Sequence, residues 1–172
     1  MKTLYKIALV IAASAVGLMA ADYLSATDHL FAKTAGQGGM AEVKFGQMAV
    51  NKGSSQKVKD FGQRMVDDHS KANEKLKSIA GKDNILMPSQ LSAKDQGLMN
   101  RLSKLSGPAF DKAYMSAMVK DHETDIALFQ HEAGAGSNPD LKGFASGTLP
   151  TLQEHLSLAK DAAGSVGAMA MK

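Results

Sequence analysis

Residues 56–79 read QKVKDFGQRMVDDHSKANEKLKSI. The apolar side chains of this stretch recur at intervals of three, four or seven residues, and they are Val58, Phe61, Met65, Ala72, Leu76 and Ile79. That spacing places them on one face of an α-helix, which has about 3.6 residues per turn. The polar side chain of His69 falls on the same face. The stretch therefore predicts an amphipathic helix whose buried side carries a histidine.

The same periodicity continues outward from this stretch. It predicts four main helices at about residues 28–51, 54–82, 108–134 and 139–164, with a shorter helix at about 92–105. The first and last connections are short and predict two antiparallel hairpins, while the middle connection is long. The predicted fold class is therefore all-α, a ferritin-like four-helix bundle of two hairpins with a crossover that carries a short extra helix. We expect the bundle over residues 26–164 and a flexible tail at 165–172.

Two features of the predicted helices are unusual. The first helix contains Gly36, Gly38, Gly39 and Gly46, and each glycine costs about 1 kcal/mol relative to alanine. We expect close approach of a facing helix to be the reason. Pro150 lies in the middle of the last helix and is expected to kink or split it.

The first residues are typical of a secretory signal peptide. A basic segment at residues 1–6 precedes an uncharged apolar run at 7–19, and Ala20 and Ala21 follow. The apolar run is too short for a membrane span, which needs roughly 20 residues. We therefore expect a signal peptide at residues 1–20, with an uncleaved anchor as the alternative, and a periplasmic or secreted protein.

Composition excludes several classes of function. The chain has 172 residues, enough for one domain, and no cysteine. Disulfides, thiolate metal sites, iron–sulfur clusters and cysteine nucleophiles are excluded. The net charge of +3 includes Lys2 and Lys6 of the predicted signal peptide, so it does not indicate nucleic-acid binding. Neither a phosphate-binding loop nor a nucleophile motif is present, and we do not predict an enzyme.

Each main helix directs one polar side chain toward the bundle axis. These side chains are Glu42, His69, His122 and His155. Asp125 shares the face of His122 as a further ligand, and Asp68 and Asp121 lie at the edges, where they could orient a histidine. His29 and His131 fall off these faces. A buried imidazole or carboxylate is costly unless it is paired, and a metal ion held between facing helices would pair all of them.

Imidazole and carboxylate ligands suit a divalent ion, zinc or iron in preference to copper. Met65 and Met118 precede His69 and His122 by four residues, and they would suit reduced copper as an alternative. A di-iron centre is not expected, because Val66 and Val119 occupy the positions where a Glu-x-x-His pair would need glutamate. The other alternative is a structural network in which the polar groups bond one another or buried water.

The axial level of these side chains adds a complication. Counted from the first turn, Glu42 lies roughly 15 Å along its helix and His69 roughly 21 Å along the next one. A common site would need this offset to be absorbed by the turn or by the glycine-rich segment.

Four motifs resemble domain of unknown function 4142. They are GGMAEV at 38–43, RMVDDHSKAN at 64–73, FDKAY with MVKDH within 110–129, and TLPTLQEH at 148–155. The resemblance covers about residues 27–163. It implies a ferritin-like bundle and export, because the family consists of secreted bacterial proteins that are often labelled as outer-membrane proteins. It implies no particular activity.

The sequence thus predicts an exported helical bundle that binds a divalent metal ion for storage, buffering or stress protection. The alternative is a non-enzymatic structural or interaction module of the cell envelope that holds no metal. Redox catalysis is a third hypothesis and would need an open coordination position. The expected partner is a metal ion, with no nucleic acid and no stable membrane insertion after signal cleavage. A homodimer is left open.

Overall fold

A computed structural model describes residues 24–168 of the chain. Over that range the chain forms five α-helices and no strand, so the all-α prediction is confirmed. The helices are α1 (Ala26–Lys52), α2 (Gln56–Lys82), α3 (Ala93–Ser103), α4 (Gly107–Ala135) and α5 (Pro139–Ser165). The predicted signal peptide at residues 1–20 and the last part of the predicted tail, 169–172, lie outside the described residues.

Side-chain caps define where α1 and α5 begin. The Ser25 hydroxyl accepts a hydrogen bond from the Asp28 N–H, and the Asp28 carboxylate accepts one from the Ser25 N–H, which is a capping box. At α5 the Asn138 side chain accepts from the Leu141 N–H at 2.9 Å. These bonds satisfy backbone donors that have no partner inside the helix.

The four long helices pack as two antiparallel pairs. α1 lies against α2 and α4 lies against α5, and a short turn joins the members of each pair. Contacts of α1 with α4 and of α2 with α5 bring the pairs together. The connection between α2 and α4 is longer and contains α3, which contacts α1 and α4. The result is a helical bundle whose interior is lined by all four long helices.

Each short turn is held by a carboxylate from the other helix pair. Asp111 of α4 accepts hydrogen bonds from the N–H groups of residues 54 and 55 at 3.0 and 2.9 Å. Asp28 of α1 accepts from the N–H groups of residues 137 and 138 at 2.9 and 3.1 Å. Although burial opposes it, the hydrogen bonds lower the pKa of Asp28 to about 2. The two pairs are therefore joined at both ends of the bundle.

The glycines of α1 permit close packing, as expected, but not at every position. A Cβ atom on Gly46 would lie 2.5 Å from the carbonyl oxygen of Gly62 on α2, and one on Gly39 would overlap Asn73. A Cβ atom on Gly38 would make only an ordinary contact, 3.9 Å from the Asp125 carboxylate. The close approach of α1 and α2 is therefore concentrated at Gly39 and Gly46.

Helix α5 differs from its prediction in the middle. It runs without a break from Pro139 to Ser165 with Pro150 inside it, so the expectation that Pro150 splits the helix is wrong. Residues 165–168 were expected to begin a flexible tail. Ser165 is the last helical residue, and Val166 and Ala168 pack against the apolar core.

Two apolar clusters fill the bundle. One contains Phe45, Phe61, Phe110, Tyr114 and Met118 among its members, and the other contains Phe31, Leu76, Phe129, Phe144 and Leu152. Along α2, α4 and α5, one buried histidine lies between the residues of one cluster and those of the other. A polar layer therefore separates the two apolar clusters.

Candidate metal centre

Three buried histidines from three helices meet in the polar layer. His69 lies on α2, His122 on α4 and His155 on α5, and each is at most 7 % exposed. One ring nitrogen of each histidine lies within 4.8 Å of a nitrogen of both others. The ring centroids are 5.4 to 5.9 Å apart. We call these three residues the imidazole triad.

The hydrogen bonds of the imidazole triad leave a free nitrogen on each ring. His122 Nδ1–H donates to the Met118 carbonyl at 2.9 Å, and His155 Nε2–H donates to the Asp68 carboxylate at 2.9 Å. Among residues 24–168 no hydrogen-bond partner exists for His69 Nε2, His122 Nε2 or His155 Nδ1. A carbonyl or carboxylate oxygen accepts a hydrogen bond here, so the bonded nitrogen of His122 and of His155 carries the ring proton. The other nitrogen of each neutral ring therefore has a lone pair.

Burial keeps the imidazole triad neutral. Desolvation, followed by repulsion from His122 and His155, lowers the pKa of His69 to about 3. Desolvation, followed by repulsion from His155, lowers the pKa of His122 to about 4. Desolvation also lowers the pKa of His155, although the Asp68 carboxylate opposes the shift. The neutral imidazole is the form that coordinates a metal ion.

A second polar group consists of three carboxyl groups. Glu42 of α1 and Asp121 and Asp125 of α4 each place one oxygen within 4.8 Å of the other two. Glu42 is fully buried, and neither of its carboxyl oxygens has a hydrogen-bond partner in the described part of the chain. Burial raises the pKa of Glu42 well above its usual range, and the charges of Asp121 and Asp125 raise it further. We call these residues the carboxylate triad.

His122 lies between the two triads. Glu42 Oε1 is 3.8 Å from His122 Nδ1, the nitrogen that donates to Met118, whereas the free nitrogen of His122 is Nε2. The two nitrogens of an imidazole ring point in diverging directions, so Glu42 is not on the side of the free nitrogen. The structure therefore divides the ligands that the sequence assigned to one site into two neighbouring groups.

Asp68 and Asp121 were both expected to orient a histidine, and the structure places them differently. Asp68 accepts from His155 and also pairs with Arg64, and these hydrogen bonds outweigh burial and lower the pKa of Asp68. Asp121 pairs instead with Lys94 at 2.8 Å and belongs to the carboxylate triad. Of the two, Asp68 is the one whose position allows it to orient a ring of the imidazole triad.

Three residues were assigned no polar role from the sequence. Lys94 pairs with Asp121, Arg64 pairs with Asp68, and Tyr114 has a buried hydroxyl. Lys94 lies on α3, so the periodicity of α4 carried no information about it. The Tyr114 hydroxyl is buried without a partner among the described residues, but the ring matched the apolar pattern of α4. Arg64 could have been found from its spacing of four residues from Asp68, which favours an ion pair on a helix.

A small cavity adjoins the imidazole triad. Its volume is about 30 Å³, and His69, His155 and Asp125 line it together with the rings of Phe129 and Phe144. This volume is sufficient for a water molecule. A metal ion held by the three imidazoles would therefore have space for a further ligand from solvent.

The remaining histidines lie away from the polar layer, and the two methionines considered as copper ligands pack in the core. His29 and His131 are exposed, as helical phase predicted. Met65 and Met118 are fully buried in an apolar cluster with Phe61 and Tyr114. Methionine is a flexible side chain that commonly fills gaps in an apolar core, and the burial of Met65 and Met118 fits that role.

These observations define an all-α helical bundle with two buried polar groups between its apolar clusters. The chain belongs to the family described as a domain of unknown function (DUF4142), whose model matches residues 13–162. The family resemblance seen in the four motifs is therefore confirmed. No curated protein and no solved structure matches the chain. Between residues 24 and 168, none of the helices has the combined length and hydropathy that a membrane span requires.

Proposed function

We propose that this protein binds a divalent metal ion at the imidazole triad and serves in metal storage, buffering or stress protection. The observation that carries the proposal is the meeting of three buried imidazoles, His69, His122 and His155, each with one ring nitrogen that has no partner in residues 24–168. A buried polar atom without a partner costs about 1–3 kcal/mol. A metal ion coordinated by all three nitrogens would remove that cost.

The ligand type favours zinc. Neutral imidazoles bind zinc at about 2.0–2.1 Å, and three histidines with a water molecule form a common zinc coordination. The cavity beside His69 and His155 provides space for that water. Iron is the second choice, and copper is a weaker one because the thioethers of Met65 and Met118 are packed in the apolar cluster.

The export of the protein and its ferritin-like topology are part of the same proposal. Residues 1–20 have the basic start and apolar run of a signal peptide. The pairing of α1 with α2 and of α4 with α5, with a long connection between the pairs, supports a ferritin-like arrangement. We accordingly propose that the mature protein works in the periplasm or outside the cell.

Elemental analysis of protein purified from the periplasmic fraction, without an affinity tag, tests this proposal. We expect close to one equivalent of zinc per chain, because the imidazole triad would provide one site. The double variant His69→Ala with His122→Ala should lose the metal, since it keeps only one of the three imidazoles.

The matched control is the double variant His29→Ala with His131→Ala, which removes the same number of histidines from exposed positions. This control should retain the metal. Absence of metal from the wild type, both as purified and after reconstitution with zinc, would contradict the proposal. Equal metal content in the two double variants would contradict it as well.

A structural polar network is the second candidate. It is favoured by the two hydrogen bonds that His122 and His155 already make, to Met118 and Asp68. In that case the histidines would support folding without a metal. Zinc and chelators would then leave the melting temperature unchanged, which separates this candidate from the metal site.

A further inference from the structure

The carboxylate triad is a polar group that the imidazole site does not use. Glu42 reaches it from α1, while Asp121 and Asp125 project from successive turns of α4. One oxygen of each lies within 4.8 Å of the others, and Glu42 is 0 % exposed. Three carboxylates at this separation repel one another, and burial of Glu42 makes the uncompensated arrangement costly.

The protein compensates this charge only in part. The carboxylate triad has one ion pair within the described chain, between Lys94 Nζ and Asp121 Oδ1 at 2.8 Å, and the Lys94 side chain is 68 % exposed. Without an ion, Glu42 holds a proton, because its pKa is raised. In the form that binds a cation all three carboxyl groups are ionised, and together with one ammonium they leave two negative charges. One divalent cation would balance them and would also contact the oxygens of Glu42, which have no partner among residues 24–168.

A hydroxyl group supplies an observation that is independent of the carboxylates. Tyr114 is 0 % exposed, and its hydroxyl has no hydrogen-bond partner in the described range. It is close enough to Glu42 that the charge of this carboxylate adds to burial in raising the pKa of Tyr114. Helices α1 and α4 therefore each carry a buried polar side chain without a partner in the described range, Glu42 and Tyr114.

We propose that Glu42, Asp121 and Asp125 form a second cation site, which binds a hard divalent ion such as Mn²⁺, Mg²⁺ or Ca²⁺ beside the imidazole triad. Carboxylate oxygens and water are the ligands that these ions prefer, whereas zinc prefers imidazole. This second site differs from the imidazole site both in the residues that form it and in the class of metal ion that it would bind. The two sites can therefore be tested separately.

Titration of the metal-free full chain with Mn²⁺ tests this proposal, with the signal of free Mn²⁺ in electron paramagnetic resonance as the readout. We expect the wild type to bind one equivalent. Glu42→Gln and Asp125→Asn should each weaken binding by at least about tenfold, the lower limit seen when even an outer partner of a metal site is removed. His69→Ala should bind Mn²⁺ as the wild type does, because His69 belongs to the other triad.

The matched control is Glu123→Gln. Glu123 lies between Asp121 and Asp125 in α4 but is exposed and pairs with Lys160 at 3.0 Å. This variant removes the same charge from the same helix and should leave Mn²⁺ binding unchanged. Helical circular dichroism checks that every variant folds, and Asp125→Asn, at a partly exposed position, provides the test if Glu42→Gln does not fold.

Three results would overturn the second site. The first is that the wild type does not bind Mn²⁺ below about 1 mM, which is the weak end of the range for calcium-type sites. The second is unchanged Mn²⁺ binding in both carboxylate variants. The third is loss of Mn²⁺ binding in His69→Ala. Zinc binding without Mn²⁺ binding would overturn this inference and leave the imidazole site standing. Mn²⁺ binding without zinc binding would support the carboxylate site and overturn the imidazole site.

Discussion

His155 has its two ring nitrogens in different surroundings. Nε2–H donates to Asp68 at 2.9 Å, while Nδ1 has no partner within residues 24–168. A carboxylate on one nitrogen fixes the tautomer and raises the basicity of the other nitrogen. Arg64 pairs with Asp68 and so holds the carboxylate in position. The free nitrogen of His155 is thereby prepared for coordination before any ion arrives.

This arrangement predicts the effect of Asp68→Asn. The substitution keeps the shape of the side chain but removes its charge, so zinc affinity should fall by about 10- to 100-fold although no ligand is lost. Competition with a chromogenic zinc chelator measures the change. Asp67→Asn is the control, because Asp67 is exposed and bonds Gln63 on the surface. Equal zinc affinity in the two variants would show that Asp68 does not act on the site.

At the scale of helices, the contact between α1 and α2 depends on paired glycines. A Cβ atom on Gly62 would lie 2.7 Å from Ala49 Cβ and 2.8 Å from the Gly46 carbonyl oxygen. Ala49 and Gly46 lie within one turn of each other on α1, and the contact with Gly46 involves the backbone of α1. A side chain at Gly62 would therefore push the two helices apart.

We predict opposite effects for two glycine substitutions in α2. Gly62→Ala should lower the free energy of unfolding by about 1–3 kcal/mol, because overpacking forces the backbone to move. Gly81→Ala should raise it by up to about 1 kcal/mol, since nothing lies within 4 Å of a Cβ atom there and alanine favours a helix. Urea denaturation of both variants provides the measurement. A loss at Gly81 as large as that at Gly62 would contradict the role of close helix packing.

The end of α4 contains a buried carboxyl group whose protonation affects stability. Glu132 is 0 % exposed, and its oxygens have no hydrogen-bond partner in the described chain. Burial, followed by a contact with Asp28, raises the pKa of Glu132 to about 7 from a reference value of 4.5. Between these two pH values the folded protein holds a proton that the unfolded chain has released. Its contribution to stability therefore declines as pH rises from about 4.5 to 7.

Glu132→Gln should remove this dependence. In the wild type Glu132 contributes a slope of up to about 1.4 kcal/mol per pH unit, and the amide does not titrate. The variant should thus gain stability relative to the wild type as pH rises from 5 to 7.5, measured by urea denaturation at each pH. Glu123→Gln, an exposed position on the same helix, is the control. A constant difference between Glu132→Gln and the wild type across this range would contradict the prediction.

For the whole molecule, the imidazole triad connects the two helix pairs. His69 comes from the first pair, and His122 and His155 come from the second. An ion bound by all three holds the pairs together and binds the folded state alone. Its binding energy therefore adds to the stability of the complete bundle.

Zinc should accordingly raise the melting temperature. At a free concentration 100 times Kd, binding adds about 2.7 kcal/mol, which corresponds to a rise of about 5–10 °C for a domain of this size. Excess chelator should reverse the rise, as followed by circular dichroism. The His69→Ala and His122→Ala double variant should show no response, and a rise of equal size in this variant would place the stabilising ion elsewhere.

Much of the fold could be predicted because helical signals are local. The stripe from Val58 to Ile79 and the same periodicity elsewhere predicted four main helices and one short helix, close to the five that the structure describes. The predicted split at Pro150 was wrong, because α5 continues through this residue, and a local rule for proline does not include the packing on either side. Burial of Glu42, His69, His122 and His155 also followed from helical phase.

The grouping of those buried residues could not be predicted in the same way. Helical phase gives the direction in which a side chain points around the axis of its helix. This direction correctly placed one polar side chain of each long helix in the core. Helical phase does not state the level at which two helices meet or the direction of an imidazole ring. Contacts between distant segments, such as Gly46 with Gly62 and Glu42 with His122, set those levels, and they separate an imidazole triad from a carboxylate triad.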